Sequence, residues 1–258
     1  MKGQYLILPV VVAVAVFSSP SRDSTILNSA DSFAVLGGST VTSSGNTILN
    51  GDLGVYPGAS ITGFASGIVH GVTYSGGAVA QQAESDTLLA YNLLAGETFT
   101  QSLTGQDLGG LTLTPGVYKF NTSALLTGML TLDAQNNPDG IFVFQIGSTL
   151  TTASSASMDL LNGAQADNVF WQVGTSATLG TDTSFDGSIL ADQSITLEAG
   201  TSLSGRALAL NAAVTLDGNV ITVPLAVPEP DVFSLLAFCA FAFGICNCFV
   251  WRCKTVRS

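Results

Sequence analysis

Six threonines recur in one short phrase, and their type and spacing carry most of the chemistry legible in this chain. The phrases are Leu111-Thr112-Leu113, Leu130-Thr131-Leu132, Ser148-Thr149-Leu150, Ala177-Thr178-Leu179, Ile195-Thr196-Leu197 and Val214-Thr215-Leu216, with threonines 19, 18, 29, 18 and 19 residues apart. A hydroxyl with no base beside it is a weak nucleophile. Repeated at fixed intervals, though, a small donor and acceptor with a methyl beside it is suited to holding ordered water. In extended backbone alternate side chains face opposite sides, so the flanking aliphatics point inward and each threonine outward.

Other reactive groups are sparse. Between Asp23 and Ala226, sixteen acidic residues stand against two basic ones, Lys119 and Arg206. Such a surface repels phosphate and anionic lipid, which argues against nucleic acid as a partner. The single histidine, His70, is far in sequence from both basic residues. Asp182 with Asp186, and Asp133 with Asp139, are the pairs that a calcium-dependent polysaccharide lyase on a β-helix could use. Solvated turn residues are the simpler reading, and no nucleophile–base motif accompanies them. The expectation is a protein that is not an enzyme, with no cofactor and no metal. All four cysteines, Cys239, Cys246, Cys248 and Cys253, lie near the C-terminus, leaving the body without a disulfide or thiolate site.

The elements that position the threonines follow from the period. Eighteen or nineteen residues make one three-sided coil of short strands, and successive coils stack at about 4.8 Å. The long interval implies a coil with an insertion, placed at 162–168. The expected fold class is all-β dominated, a three-sided right-handed parallel β-solenoid, with Phe142, Phe144, Ile146, Phe170, Val173, Phe185, Ile189, Leu203 and Leu208 stacked inside. The segment 33–55 reads as one or two further coils. Residues 77–95 (GAVAQQAESDTLLAYNLLA) read as one long flanking helix, with Ser75 as cap and Gly96 as stop.

The two ends read as addresses. Tyr5 to Phe17 (YLILPVVVAVAVF) follows Lys2 and has the length of a signal-peptide core, giving a signal segment 1–22. Val227-Pro228-Glu229-Pro230 precedes Val232 to Trp251, a stretch with no charged residue, and then a basic tail. Twenty apolar residues are long enough to span a bilayer. The region 227–258, with its span 232–251, resembles the PEP-CTERM sorting signal of Gram-negative bacteria. That resemblance implies export, cleavage by an exosortase-type enzyme, and a precursor transiently membrane-anchored at its C-terminus. The product is then secreted or attached at the cell surface, where an exopolysaccharide matrix is a further partner.

Whole phrases of the body match a known family in order. They are Ser32 to Thr42 (SFAVLGGSTVT), Asn50 to Val55 (NGDLGV), Leu103 to Tyr118 (LTGQDLGGLTLTPGVY), Phe142 to Thr152 (FVFQIGSTLTT) and Asn168 to Gly174 (NVFWQVG). On these the region 31–223 resembles the microbial ice-binding, or antifreeze, proteins. The resemblance implies a discontinuous solenoid in which the first coil packs beside coils from the C-terminal part. It also implies adsorption to an ice crystal surface through a flat Thr/Ser/Ala-rich face, inhibiting growth and recrystallisation. The family's face carries Thr, then Ala or Gly, then any residue, then Thr or Asn. Here Thr152-Ala153-Ser154-Ser155 fits with Ser last, Thr181-Asp182-Thr183-Ser184 departs at Asp182, Ala199-Gly200-Thr201-Ser202 departs at its first place, and Asp217-Gly218-Asn219 is shortened. The motif therefore nominates Thr152, Ser155, Thr181, Thr183, Ser184, Thr201 and Ser202. The regular ladder nominates Thr149, Thr178, Thr196 and Thr215, and both remain open. A cell-surface or matrix adhesin is the alternative function, and a monomer is expected.

Overall fold

The structure is a computed structural model, and it describes residues 26–65 and 67–224. The expected signal segment and sorting signal lie outside the described residues. Among the described residues no helix is long and apolar enough to cross a membrane.

Short strands, all paired in parallel, wind into a three-sided stack. One side is a seven-stranded sheet in the order Ala124–Leu126, Leu150–Thr152, Ala177–Leu179, Ile195–Leu197, Val214–Asp217, Thr40–Ser44 and Ser60–Thr62. The other two sides belong to one continuous fifteen-stranded sheet. It folds round an edge because Ser184–Ala191 and Ser202–Ala209 each run through a corner. Gly187 sits at that corner with φ +106°, and a Cβ there would meet the Val169 carbonyl oxygen at 2.6 Å. The next coil repeats the requirement, since a Cβ on Gly205 would lie 2.0 Å from the Gly187 oxygen.

The stack is discontinuous in sequence. Val214–Asp217 pairs not with a later strand but with Thr40–Ser44, through Val214↔Val41 and Thr215↔Thr42. On the other sides Leu208↔Leu36 and Ile221↔Leu49 make the same junction. Two N-terminal coils therefore close the end left open by the last C-terminal coil. The helix Gly77–Gly96 makes this topology possible. It leaves the stack after Thr73–Ser75, at one end of a side that continues through Asp52–Val55, Phe33–Gly37, Ser202–Ala209, Ser184–Ala191, Val169–Val173, Phe142–Ile146 and Gly116–Phe120 to Gln101–Ser102 at the other end. Eight strand intervals at about 4.8 Å are roughly 38 Å. Twenty helical residues return the chain about 30 Å of that distance, and the residues up to Gln101 cover the rest. Ser75 does not cap the helix, because its hydroxyl donates to the Ala59 oxygen at 2.6 Å.

The core has two compartments. Inside the coils Tyr118, Phe144, Trp171 and Phe185 stack in line, with ring centroids 5.5, 3.9 and 4.8 Å apart. Between sheet and helix, Phe33, Leu36, Val143, Phe170, Leu190 and Leu208 pack against Ala83, Ala90 and Leu94. Phe170 and Leu208, expected inside the coils, thus point outward under the helix. The helix turns this side into one buried on both faces, where inward and outward positions are equally apolar. Gln145 adds a polar tie, donating to the Leu94 and Glu97 carbonyls at 2.8 and 2.7 Å.

Arg206 pins the junction. It is 1 % exposed. Its Nη2 meets Asp31 Oδ1 at 2.6 Å, its Nε donates to the Asp31 carbonyl at 2.8 Å, and its Nη1 meets Asp167 Oδ1 at 3.2 Å and Ser188 Oγ at 3.1 Å. One guanidinium joins the entry segment, an inserted loop and two neighbouring coils.

Glu84 is the misfit of the interface. It lies on the buried side of the helix and neither carboxyl oxygen has a hydrogen-bond partner. Burial pushes its pKa up to about 8, so at neutral pH it is held mostly protonated. The folded state then holds a proton that the unfolded chain releases near 4.5, so folding stability falls as pH rises from about 4.5 through 8. Glu84→Gln is expected to abolish that fall, raising the melting temperature more at pH 9 than at pH 5. An equal shift at both pH values contradicts the assignment.

Candidate functional site: a hydroxyl-lined sheet face

The seven-stranded sheet presents two outward columns. The central one runs Leu125, Thr151, Thr178, Thr196, Thr215, Thr42 and Thr62, each paired in register with the next. Between these residues and the corner lies a second column, Ser123, Thr149, Ser176, Ser194, Ala213, Thr40 and Ser60. It is carried by backbone bonds such as Ala177 N to Ser194 O at 2.9 Å and by the Thr40↔Ser60 pair. Hydroxyls touch along both columns: Thr149 Oγ1 donates to Ser123 Oγ at 2.8 Å, Ser176 and Ser194 share a bond of 3.0 Å, and Thr42 Oγ1 lies 3.5 Å from Thr215 Oγ1. Rows repeat at about 4.8 Å along the axis, and columns two residues apart lie roughly 6.6 Å from each other. Neither column holds a charged side chain.

The face is rigid for a local reason. Three central strands, Ala177–Leu179, Ile195–Leu197 and Val214–Asp217, carry an aliphatic–threonine–aliphatic triplet whose flanks are buried. Burial locks the backbone, and the β-branch restricts χ1. Little side-chain entropy remains to be lost when ordered water or a surface is bound.

Of the nominated ladder residues, Thr178, Thr196 and Thr215 stand in the central column and Thr149 in the adjacent one. The equivalent of Thr178 in the preceding coil is Thr151, through Leu150↔Ala177 and Thr151↔Thr178. Thr112 and Thr131 are on the third side, paired with each other. The six phrases thus do not form one ladder. A second insertion, at 134–141, is masked in the sequence because Thr131 and Thr149 are 18 residues apart yet lie on different faces.

The motif residues divide. Thr152, Thr183 and Thr201 are 3, 1 and 0 % exposed, which corrects their nomination as surface contacts. Thr152 Oγ1 and Thr183 Oγ1 share a 2.9 Å hydrogen bond, Gly180 N donates to Thr152 Oγ1 at 2.8 Å, and Thr183 and Thr201 donate to the Gly180 carbonyl at 2.6 and 2.9 Å. Asn219 and Thr47, both 0 % exposed, continue this corner. These side chains satisfy backbone groups that a tight corner cannot pair with its own ladder. Ser155 and Thr181 are exposed in the corner loops, and Ser184 and Ser202 are exposed on the third side, paired with each other. Residues missed in the sequence are Thr151, Thr42 and Thr62, and the members of the Ser123–Ser60 column other than Thr149. The alternation of Val41-Thr42 and Ile61-Thr62 carried the signal.

The third side is chemically different. Its outward column includes Thr131↔Asp159 and Asp186↔Ser204. Burial, and then the neighbouring Asp159 carboxylate, push the Asp186 pKa up to about 6. The folded state therefore holds the Asp186 proton more tightly than the unfolded chain, and stability falls as pH rises from about 4 through 6. Asp186→Asn is expected to remove that part of the pH dependence, read as melting temperature against pH, and to leave the alkaline part set by Glu84. Arg206 is held inside its ion pairs, and Asp133 is engaged by Gln135 N and Asn162 Nδ2, each at 2.8 Å. Among the described residues no group of three His, Cys, Asp or Glu is placed to hold a metal.

The comparisons fit this geometry. The family model described as ice-binding-like matches residues 35–222. The chain belongs to the ice-binding-like family. It is 51 % identical over 239 residues to an ice-binding protein of Nostoc sp., covering 88 % of each chain. It is also similar to the solved ice-binding protein of the Antarctic ascomycete Antarctomyces psychrotrophicus, at 40 % identity and TM-score 0.76, covering 78 % of this chain and 98 % of that one. An ice-binding protein from an Antarctic biological consortium matches at 44 % identity and TM-score 0.74, over 84 % and 96 % of the two chains.

Proposed function

We propose that this chain binds ice through the seven-stranded face and thereby slows crystal growth and recrystallisation. The observation that carries the reading is the pair of register-matched, charge-free hydroxyl columns. The other sides are poorer surfaces: one is covered by the helix, and the third carries Asp159 and Asp186 among exposed Met129, Ile68 and Val220. Threonine methyls and hydroxyls at strand spacing hold a layer of water in fixed positions, and that layer merges with the crystal. The named activities of the relatives support the same reading. No catalytic step is assigned to any residue.

The test is ice-affinity partitioning of the purified protein together with thermal hysteresis. Incorporation into slowly growing ice, with hysteresis, is expected. Exclusion from the ice front overturns the reading and leaves the adhesin as its successor. The end segments support export and a secreted or surface-attached product made by an exosortase-type cut, with the exopolysaccharide matrix as its setting. Cell fractionation and mass determination of the mature C-terminus check that part.

A further inference from the structure

The helix Gly77–Gly96 exposes an uncharged stripe in which apolar residues are mixed with Gln81, Gln82, Ser85 and Asn92. Val79, Leu88, Leu89 and Leu93 are 49, 49, 63 and 55 % exposed, and Phe99 just beyond is 46 % exposed. The helix has two acids, Glu84 and Asp86, and both are buried. On a chain of formal net charge −11, a solvent-facing helix side without charge is a marked local departure, and exposed apolar patches of this kind mark contact surfaces.

Leu93 also lines a groove of about 520 Å³ at the end of the helix, with Ile26, Val117 and Ile141 as apolar walls and Glu97 and Asp139 as acidic members. Lys119 stands at the same end, with Nζ 5.3 Å from the centroid of the Phe99 ring. Among the described residues Lys119 and Arg206 are the only lysine and arginine, and Arg206 is buried. Half-buried Lys119 thus stands at the end of the helix where Glu97 and Asp139 line the groove.

We infer that this stripe and groove are a docking surface for a second copy of the chain, in a twofold arrangement that sets Lys119 of each copy against Glu97 and Asp139 of the other. A twofold contact must be self-complementary. This patch holds ridge and groove, cation and anions, within one surface. Elsewhere two acidic bodies repel, so the uncharged stripe is where copies approach at least cost. A lipid surface fits worse, because a single lysine beside two acids offers little attraction to anionic headgroups. The inference departs from the monomer expected from the sequence. It does not depend on the ice-binding reading, since the hydroxyl columns occupy a different side.

Zero-length carbodiimide cross-linking of an equimolar mixture of light and heavy isotope-labelled full chains tests it. Mixed-isotope peptides joining Lys119 to Glu97 or Asp139 are expected. Their absence, or links only within one copy, overturns the proposal. The exposed-site variant Leu89→Glu/Leu93→Glu is expected to lower the mixed yield about tenfold or more, the scale of losing interface anchors. Undiminished yield also overturns it. Sedimentation of Glu97→Lys/Asp139→Lys gives an independent arm, with association lost and then restored by adding Lys119→Glu. Failure of the third substitution to restore it excludes the twofold pairing.

Discussion

Thr196→Tyr is expected to remove most of the ice-growth inhibition while leaving the fold intact. Thr196 lies in the middle of the central column, in register with Thr178 and Thr215. A tyrosine there stands above its neighbours and holds a flat crystal away from all three rows. Losing about 1 kcal/mol at each of three hydrogen-bonding positions amounts to roughly a hundredfold in the adsorption equilibrium. The aliphatic neighbours Ile195 and Leu197 stay buried, so the melting temperature should hardly move. Ser184→Tyr, at an exposed position on the third side, is the matched control and should leave hysteresis unchanged. If Ser184→Tyr is damaging and Thr196→Tyr is silent, the ice face has been assigned to the wrong side of the prism. Thr152→Val supplies a third contrast. It removes a buried hydroxyl that accepts from Gly180 N, so it should lower stability without altering the surface that meets ice.

Arg206→Met should destabilise the protein more than any other single substitution considered. It leaves the 8 %-exposed Asp167 carboxylate without its guanidinium and Asp31 without its Nη2 contact. Breaking a buried ion pair by removing one partner costs about 3–5 kcal/mol. For a domain of this size that is a fall of roughly 10 °C in melting temperature. The loss should come from the stranded charge rather than from the missing attraction, so Asp167→Asn in the Arg206→Met background should recover part of it. Additive losses in the double variant would contradict the ion pair as the cause. Because Thr42 and Thr62 reach the face only through the junction that Arg206 pins, hysteresis should fall in parallel with stability.

The repeat was legible because a three-sided coil imposes the same in–out alternation on every turn. That regularity also hid the phase. Leu130-Thr131-Leu132 and Ile195-Thr196-Leu197 are alike as strings yet lie on different sides, since alternation reports burial and not which face is outside. Around Leu150 the ambiguity is local: Thr149 and Thr151 both flank one inward side chain, so both point outward, in different columns. The corner threonines were illegible for a different reason. Thr183 and Thr201 have the same composition as surface residues, and only the position of the Gly180 carbonyl makes them interior. Phe170 and Leu208 were misplaced because a helix with its own apolar side removes the usual contrast between the two faces of a strand.

The splice between Val214–Asp217 and Thr40–Ser44 also dictates an order of assembly. Coils from Gly116 onward can stack one upon the next as the chain emerges, each contact being local in sequence. The first two coils cannot, because the surface that receives them is the last to be made. Phe33, Val35 and Leu36 can pair with Asp52–Val55 early, but their other edge must wait for Ser202–Ala209, and contacts so distant in sequence close slowly. The complete seven-stranded face therefore comes into being late and in one event, when the beginning of the polypeptide finds its end.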